Sequence, residues 1–157
     1  MGYEIRAIDA QVVKELLEGD DAGRPPRVST EREGAPLRCC LTRAGAGERV
    51  ALLSYAPLRR WAAERGVDPG AYDEQGPIFV HAGGCPGAGS DGWPAGHESH
   101  RMLRAYAADG HILGGRYLAA GEDPDTALRE VFEDPETAVV HVRAIEFGCF
   151  HFEVRRG

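Results

Sequence analysis

The chain has 157 residues, 43% of them hydrophobic, and a formal net charge of −7 at pH 7. This length supports one domain with an ordinary core, so neither a disulfide nor a metal is required to hold the fold together. The acidic balance argues against nucleic acid as a partner, because nucleic-acid-binding domains usually present a basic stripe. No apolar run reaches about 18 residues and no signal-peptide pattern is visible, which predicts a soluble cytoplasmic protein without a membrane partner. Its four cysteines are then expected to be free thiols.

The first element is a strand over Tyr3–Ile8, whose residues alternate between apolar and polar. Asp9 then caps a helix over 10–17, which ends at Gly19. Residues 20–36 are rich in aspartate, glycine and proline, and they predict a loop.

The next segments predict a hairpin, a helix and a strand. Residues 37–43 and 49–55 are two apolar runs joined by a short glycine-containing turn, which indicates a hairpin. Pro57 begins a short helix over 57–65, and Pro77–Ala82 is a strand. Residues 83–97 contain too many glycines and prolines for regular structure.

Asp109-Gly110 gives the strongest hairpin signal in the chain, between strands over 101–107 and 112–118. An aspartate at position 123 or 125 then caps a helix over 126–132. The chain closes with strand-rich sequence over 138–147 and 149–155, either as a hairpin or as one long bent strand. Together these elements predict a single α+β domain over 1–157, with a mostly antiparallel sheet and about three helices.

His81 is the first candidate for chemistry, because it ends the predicted strand 77–82 and precedes a glycine-rich loop. Imidazole titrates near neutrality, so His81 is predicted to be an acid/base group. The positive charge of a protonated His81 could activate the thiol of Cys85. The competing interpretation is a half-buried histidine bonded to a loop carbonyl, with an inert thiol beside it.

A second candidate group lies near the end of the chain. His141, Arg143 and Cys149 share a face with His151 if the last strand is unbroken, whereas a hairpin would change that register. Cys149 is the alternative catalytic thiol, and a merely polar sheet face is the competing interpretation.

Arg104 and Tyr106 share a face of the strand over 101–107. Arginine is suited to carboxylate or phosphate, so Arg104 and Arg143, with His141, are predicted to bind substrate, and Tyr106 to orient it or act in catalysis. An ordinary structural pair between an arginine and a carboxylate is the alternative.

No cofactor is required by the sequence, but zinc remains a candidate. If a metal is bound, the predicted ligands are His81, Cys85, His141 and Cys149. Cys39 and Cys40 would point to opposite faces of a strand, so at most one of them could face a given pocket. The pair His97 and His100 is interpreted as two unrelated loop histidines.

Several blocks of the chain, taken together and in this order, resemble the domain of unknown function 1203 family of bacterial proteins. They are 36–41, 76–82, 103–106 followed by 109–110, 141–143 and 148–150. The resemblance implies a single domain and points to the positions inside these blocks, without naming an activity.

Two hypotheses about function follow. The first is a small cytoplasmic bacterial enzyme, in specialised or biosynthetic metabolism, acting on a polar, anionic or carbonyl-bearing metabolite through the His/Cys/Arg residues. The alternative is a non-catalytic domain that binds a small molecule or a metal, as a sensor does. In both cases the expected partner is a small molecule, and the sequence does not define the oligomeric state.

Overall fold

We describe the fold from a computed structural model, for residues 2–31, 34–89 and 92–157. These segments contain eight β-strands and three α-helices. Neighbouring strands within each sheet run antiparallel. The α+β class and the mostly antiparallel sheet predicted from the sequence are therefore confirmed.

The strands are β1 (Tyr3–Arg6), β2 (Arg27–Thr30), β3 (Arg49–Tyr55), β4 (Gly76–His81), β5 (Arg101–Tyr106), β6 (Ile112–Leu118), β7 (Val139–Arg143) and β8 (Phe150–Arg156). The helices are α1 (Ala10–Glu18), α2 (Pro57–Arg65) and α3 (Pro124–Phe132), with a short 3-10 helix at Gly70–Tyr72. One sheet has the order β1-β8-β7-β5-β6, and the other has the order β2-β3-β4. Among the described segments, no helix combines the length and the apolar character that crossing a membrane requires.

The chain divides into two compact units, each built around one sheet. Unit 1 contains residues 2–6, 57–74 and 92–157, and therefore the five-stranded sheet with α2 and α3. Unit 2 contains residues 7–31, 34–56 and 75–89, and therefore the three-stranded sheet with α1. A single domain over 1–157 stays a prediction.

Unit 1 buries one face of α2 against its sheet. Leu58 and Trp61 of α2 form a buried cluster with Tyr106 of β5 and Val139 of β7. The hairpin predicted at Asp109-Gly110 joins β5 to β6, and Gly110 has a φ of 91°. A Cβ at this position would lie 2.9 Å from the Cβ of Pro69, so the turn requires glycine.

Unit 2 places α1 beside β3, the central strand of its sheet. Asp9 caps α1 as predicted, because its side chain accepts a hydrogen bond from the Gln11 N–H. The helix is amphipathic, and Val13 and Leu16 are its buried residues. β3 pairs with β2 on one edge and with β4 on the other. Every residue of β4 has a partner in β3, and this pairing fixes the position of β4.

The hairpin predicted from strands 37–43 and 49–55 is wrong. β3 pairs instead with β2 and β4, and residues 38–40 form a turn closed by a bridge between Pro36 and Arg43. Leu41 has a φ of 64°, a left-handed conformation that a strand cannot contain. The loop predicted over 20–36 also contains β2, which is exposed throughout and so gives no apolar alternation; residues 32 and 33 lie outside the described segments.

The last two strands form a hairpin, which decides between the two alternatives left open by the sequence. β7 ends at Arg143, and residues 144–149 connect it to β8, with the Ala144 N–H donating to the Cys149 carbonyl at 2.9 Å. Cys149 therefore lies in a turn and not on a strand shared with His141. The described parts of 83–97 contain no helix or strand, as predicted, and residues 90 and 91 are outside them.

Candidate metal centre

Four metal-ligating side chains converge in unit 2. They are Cys39, Cys40, His81 and Cys85, and their ligand atoms all lie within 4.8 Å of one another. Three thiols and one imidazole are the donor types that zinc and other soft divalent ions prefer. The cluster is therefore a candidate Cys3His metal centre.

The end of β4 supplies half of the cluster. His81 is the last residue of the strand, and Cys85 follows four residues later in the glycine-rich loop. The turn at 38–40 supplies the other half and is fixed to the same strand, because the Arg38 N–H donates to the Phe79 carbonyl at 2.9 Å. The His81 N–H donates to the Cys39 sulfur at 3.3 Å, so the backbone itself orients this thiol.

Two of the distances within the cluster are close to those of a tetrahedral zinc site. Zn–S bonds of about 2.3 Å and Zn–N bonds of about 2.0 Å place tetrahedral ligand atoms roughly 3.5–3.8 Å apart. The Nδ1 atom of His81 lies 3.4 Å from the Cys39 sulfur and 3.9 Å from the Cys40 sulfur. All the ligand atoms of the cluster lie within 4.8 Å of one another, so those farthest apart must approach one another when an ion binds.

Glu48 fixes the orientation of the His81 ring. Its Oε2 lies 2.6 Å from Nε2 of His81, and with the proton on that nitrogen Nδ1 is the atom that can bind a metal beside the sulfurs of Cys39 and Cys40. The Gly45 N–H donates to the other carboxylate oxygen at 2.7 Å and holds Glu48 in place. The Gly45 hydrogen bond and, after it, that of His81 lower the pKa of Glu48. A carboxylate behind a ligating histidine is the usual outer partner of zinc-bound imidazole.

Burial separates the cluster from water on one side. Cys39 is 4% exposed and Cys40 is 7% exposed, whereas Cys85 and His81 are half-buried. Burial, followed by the neighbouring Cys85 and Cys40, raises the pKa of the Cys39 thiol far above its ordinary value, although the His81 N–H opposes this. The thiol is therefore neutral by itself at pH 7, and the charge of a divalent ion is what makes such a thiol lose its proton.

Strain in the turn is a further mark of this centre. Leu41 follows Cys40, is 4% exposed, and adopts the left-handed conformation that a branched side chain disfavours by roughly 1 kcal/mol. The Leu41 N–H donates to the Leu37 carbonyl at 3.1 Å, which closes the turn. Such strain persists where surrounding contacts impose it, and here it lies directly after the two adjacent thiols.

The sequence predicted half of this cluster. His81 and Cys85 were predicted as ligands if any metal binds, but with His141 and Cys149, which belong to unit 1. Cys39 and Cys40 were assigned to a strand with opposite faces, whereas in the turn both face His81. The adjacent cysteines and the His-x-x-x-Cys spacing were the available signals, and Glu48 had none.

The predicted residues of unit 1 fall into two neighbouring groups on the five-stranded sheet. In the first, Nε2 of His141 lies 3.0 Å from Glu153, whose other oxygen is 2.5 Å from Arg155. His141 is fully buried and stacks edge-on against Tyr106 at 5.0 Å. This group has the form of a buried structural network.

In the second group, Arg104 and Arg143 converge on one carboxylate. Their NH1 atoms lie 2.8 Å and 3.0 Å from the same Oε1 atom of Glu74, which is half exposed. Burial and then the charge of Arg104 lower the pKa of Arg143, although Glu74 opposes this. Burial opposes ionisation of Arg104 too, but Tyr106 and Glu74 outweigh it and raise the pKa of that guanidinium. The two arginines were predicted to bind an anion, and the protein's own anion lies between them.

Three further candidates, Cys149, His97 and His100, lie in loops of unit 1. The Cys149 sulfur lies 3.8 Å from the Phe147 carbonyl in the turn after β7. His97 packs against His151 with ring centroids 5.2 Å apart, whereas His100 lies 2.6 Å from Glu146. The rings of these two histidines contact different side chains, and the interpretation as unrelated loop residues stays a prediction.

Residues 34–156 match the family model described as protein of unknown function (DUF1203). No curated protein and no solved structure matches the chain significantly. Cys39, Cys40, Glu48, His81 and Cys85 all fall inside the matched region.

Proposed function

The chain belongs to the DUF1203 family, and on the geometry of its own residues we propose that it is a metal-binding protein whose unit 2 holds one zinc ion. The ligands are Cys39, Cys40, His81 and Cys85. The observation that carries this proposal is the convergence of all four ligand atoms within 4.8 Å. It is the non-catalytic, metal-binding alternative of the two hypotheses from the sequence.

Three features support zinc rather than a harder ion. Three of the four donors are sulfur, which calcium and magnesium avoid. The Glu48 carboxylate contacts the ring of His81 at 2.6 Å and supports it from behind, so it acts as a positioning residue. Four protein ligands complete a tetrahedron, and a closed site of this kind stabilises structure or senses metal. A reducing bacterial cytoplasm, the location we propose, keeps such thiols available.

Cobalt(II) titration tests this proposal, because tetrahedral thiolate coordination of cobalt gives intense visible and near-ultraviolet absorption bands. One equivalent of cobalt should produce these bands, and zinc should displace it. Glu48→Ala should weaken zinc binding by about 10- to 100-fold, since the His81 ring loses its orienting partner. Glu18→Ala, an exposed carboxylate at the end of α1, is the matched control and should bind as the native protein does. Weak octahedral bands, or equal affinity in both variants, would contradict the proposal.

A second candidate function is binding and turnover of an anionic metabolite in unit 1, as the first hypothesis states. The observation that favours it is the pair of guanidinium groups at 2.8 Å and 3.0 Å from one Glu74 oxygen. Glu74 is attached to an exposed loop, so a carboxylate or phosphate of a ligand can replace it. In this function Arg104 and Arg143 bind the anion beside Tyr106.

Replacement of Glu74 separates this second function from a structural ion pair. Glu74→Gln should raise the affinity for inorganic phosphate about fivefold, because a competing contact worth about 1 kcal/mol is removed. Arg143→Gln should abolish that binding. Glu122→Gln, which removes a similar partner of Arg116, is the control for a general charge effect. Calorimetric titration measures the three variants, and an equal gain in Glu122→Gln would identify an ordinary surface effect.

A further inference from the structure

A cavity of about 380 Å³ lies in unit 2 beside the metal centre. Its volume is within the range of about 300–1,000 Å³ that small organic ligands occupy. Cys39 and Cys85 form part of its wall, so the cavity reaches the proposed ligands without including all of them. From this cavity we propose that the protein binds a small apolar molecule that carries one carboxylate.

One part of the cavity lining is apolar and largely buried. Ile8, Val13 and Leu17 line it, and the last two belong to α1. Val13 and Ile8 are buried, with 6% and 8% exposure, so this wall is part of the packed interior of unit 2. An aliphatic or aromatic ligand body gains free energy there in proportion to the apolar area removed from water.

Another part of the cavity lining is formed by glycines. Gly83, Gly84 and Gly87 line the cavity, and a Cβ added at any of them would meet no atom within 4 Å. This wall therefore presents peptide groups with free space in front of them, and a ligand can approach the backbone closely.

Among the described residues that line the cavity, Lys14 of α1 is the one with a charged side chain, and it is the only lysine of the chain. It is exposed, and in the described part of the chain it has no carboxylate partner within ion-pair distance. On a protein of net charge −7, an ammonium that no carboxylate of the described residues pairs, beside an apolar cavity, selects a ligand with one negative group. The ligand's carboxylate then pairs with Lys14 while its apolar body contacts Val13 and Leu17.

Octanoate and its neutral match octan-1-ol test the proposal by calorimetric titration of the full chain. Octanoate should bind more tightly than octan-1-ol, and Lys14→Gln should weaken octanoate about fivefold while leaving octan-1-ol unchanged. Arg43→Gln removes a positive charge from unit 2 at a residue outside the cavity lining and should leave both affinities unchanged.

Filling the cavity is the second arm of the test. Leu17→Trp should abolish binding of both probes, and Ala10→Leu, at an exposed position of the same wall, provides the filling variant if the first does not fold. The proposal is overturned if octanoate does not bind, if Lys14→Gln and Arg43→Gln behave alike, or if filling leaves binding intact. Zinc content is measured on the same samples: zinc without octanoate binding refutes the cavity ligand alone, and octanoate binding without zinc refutes the metal centre alone.

Discussion

Replacement of Cys39 by alanine is expected to abolish stoichiometric zinc binding and to lower the free energy of unfolding by at least about 3 kcal/mol in the presence of zinc. Structural zinc sites have apparent binding free energies of roughly 10–16 kcal/mol, and a ligand that binds only the native state adds its binding free energy to stability. Cys39 is 4% exposed, and its sulfur contacts both the backbone N–H and the ring Nδ1 of His81. Its loss leaves three ligands and an opening in the coordination shell.

Guanidinium unfolding with and without a strong chelator separates the metal contribution from ordinary packing. Without metal, the native protein and Cys39→Ala should differ by only the small cost of removing a buried thiol. Cys149→Ala, the matched thiol outside the cluster, should keep its zinc and its stability. The proposed metal centre would be contradicted if Cys39→Ala retained one zinc. It would also be contradicted if the chelator did not change the unfolding of the native protein.

Replacement of Glu153 by alanine is expected to cost about 3–5 kcal/mol of stability, because it breaks a buried ion-pair network from one side. Glu153 is 9% exposed and contacts both His141 at 3.0 Å and Arg155 at 2.5 Å. Its removal leaves the fully buried His141 ring without a partner at Nε2. Chemical unfolding measures the loss. Glu130→Ala removes a partner of Arg116 at the surface, where a pair contributes less than about 1 kcal/mol, and an equal loss in both variants would show that His141 needs no such partner.

The same network predicts how stability depends on pH. Burial favours the neutral form of Glu153, but the contacts with His141 and Arg155 outweigh it and lower the pKa of Glu153 below its ordinary value of 4.5. The unfolded chain therefore takes up this proton first, so stabilisation is complete above pH 4.5 and is lost as the pH falls below it towards the lower folded-state pKa. The isosteric variant Glu153→Gln should lack this acid-dependent component. An unchanged slope of stability against pH in the variant would contradict the assignment.

The elements that the sequence predicted are those fixed by local signals. Asp9 and the aspartate at 123 cap α1 and α3, Pro57 begins α2, and Asp109-Gly110 turns the hairpin from β5 to β6. Each signal acts within four residues, so a single sequence reveals it. β2 was missed because all four of its residues are exposed, and its place beside β3 is decided by long-range pairing.

Prediction of the complete candidate site from the sequence would have required knowledge of contacts between residues far apart in the chain. His81 and Cys85 are close in sequence, and the sequence identifies both. Their partners, Cys39 and Cys40, lie about forty residues earlier, in a turn whose apolar residues give the pattern of a strand. The turn at 38–40, followed by Leu41 in a left-handed conformation, brings Cys39 and Cys40 to the same imidazole. Glu48 precedes β3 and reaches His81 only because β3 and β4 pair with Val50 opposite His81.

X-ray absorption at the zinc edge, on untagged protein shown by elemental analysis to contain one zinc per chain, tests the central claim most directly. The account predicts a first shell of three sulfur atoms at about 2.3 Å and one nitrogen at about 2.0–2.1 Å. Loss of one sulfur from that shell in Cys40→Ala would identify the turn as a source of ligands. A shell of nitrogen and oxygen alone, or protein that carries no stoichiometric metal and binds none when zinc is added, would contradict it.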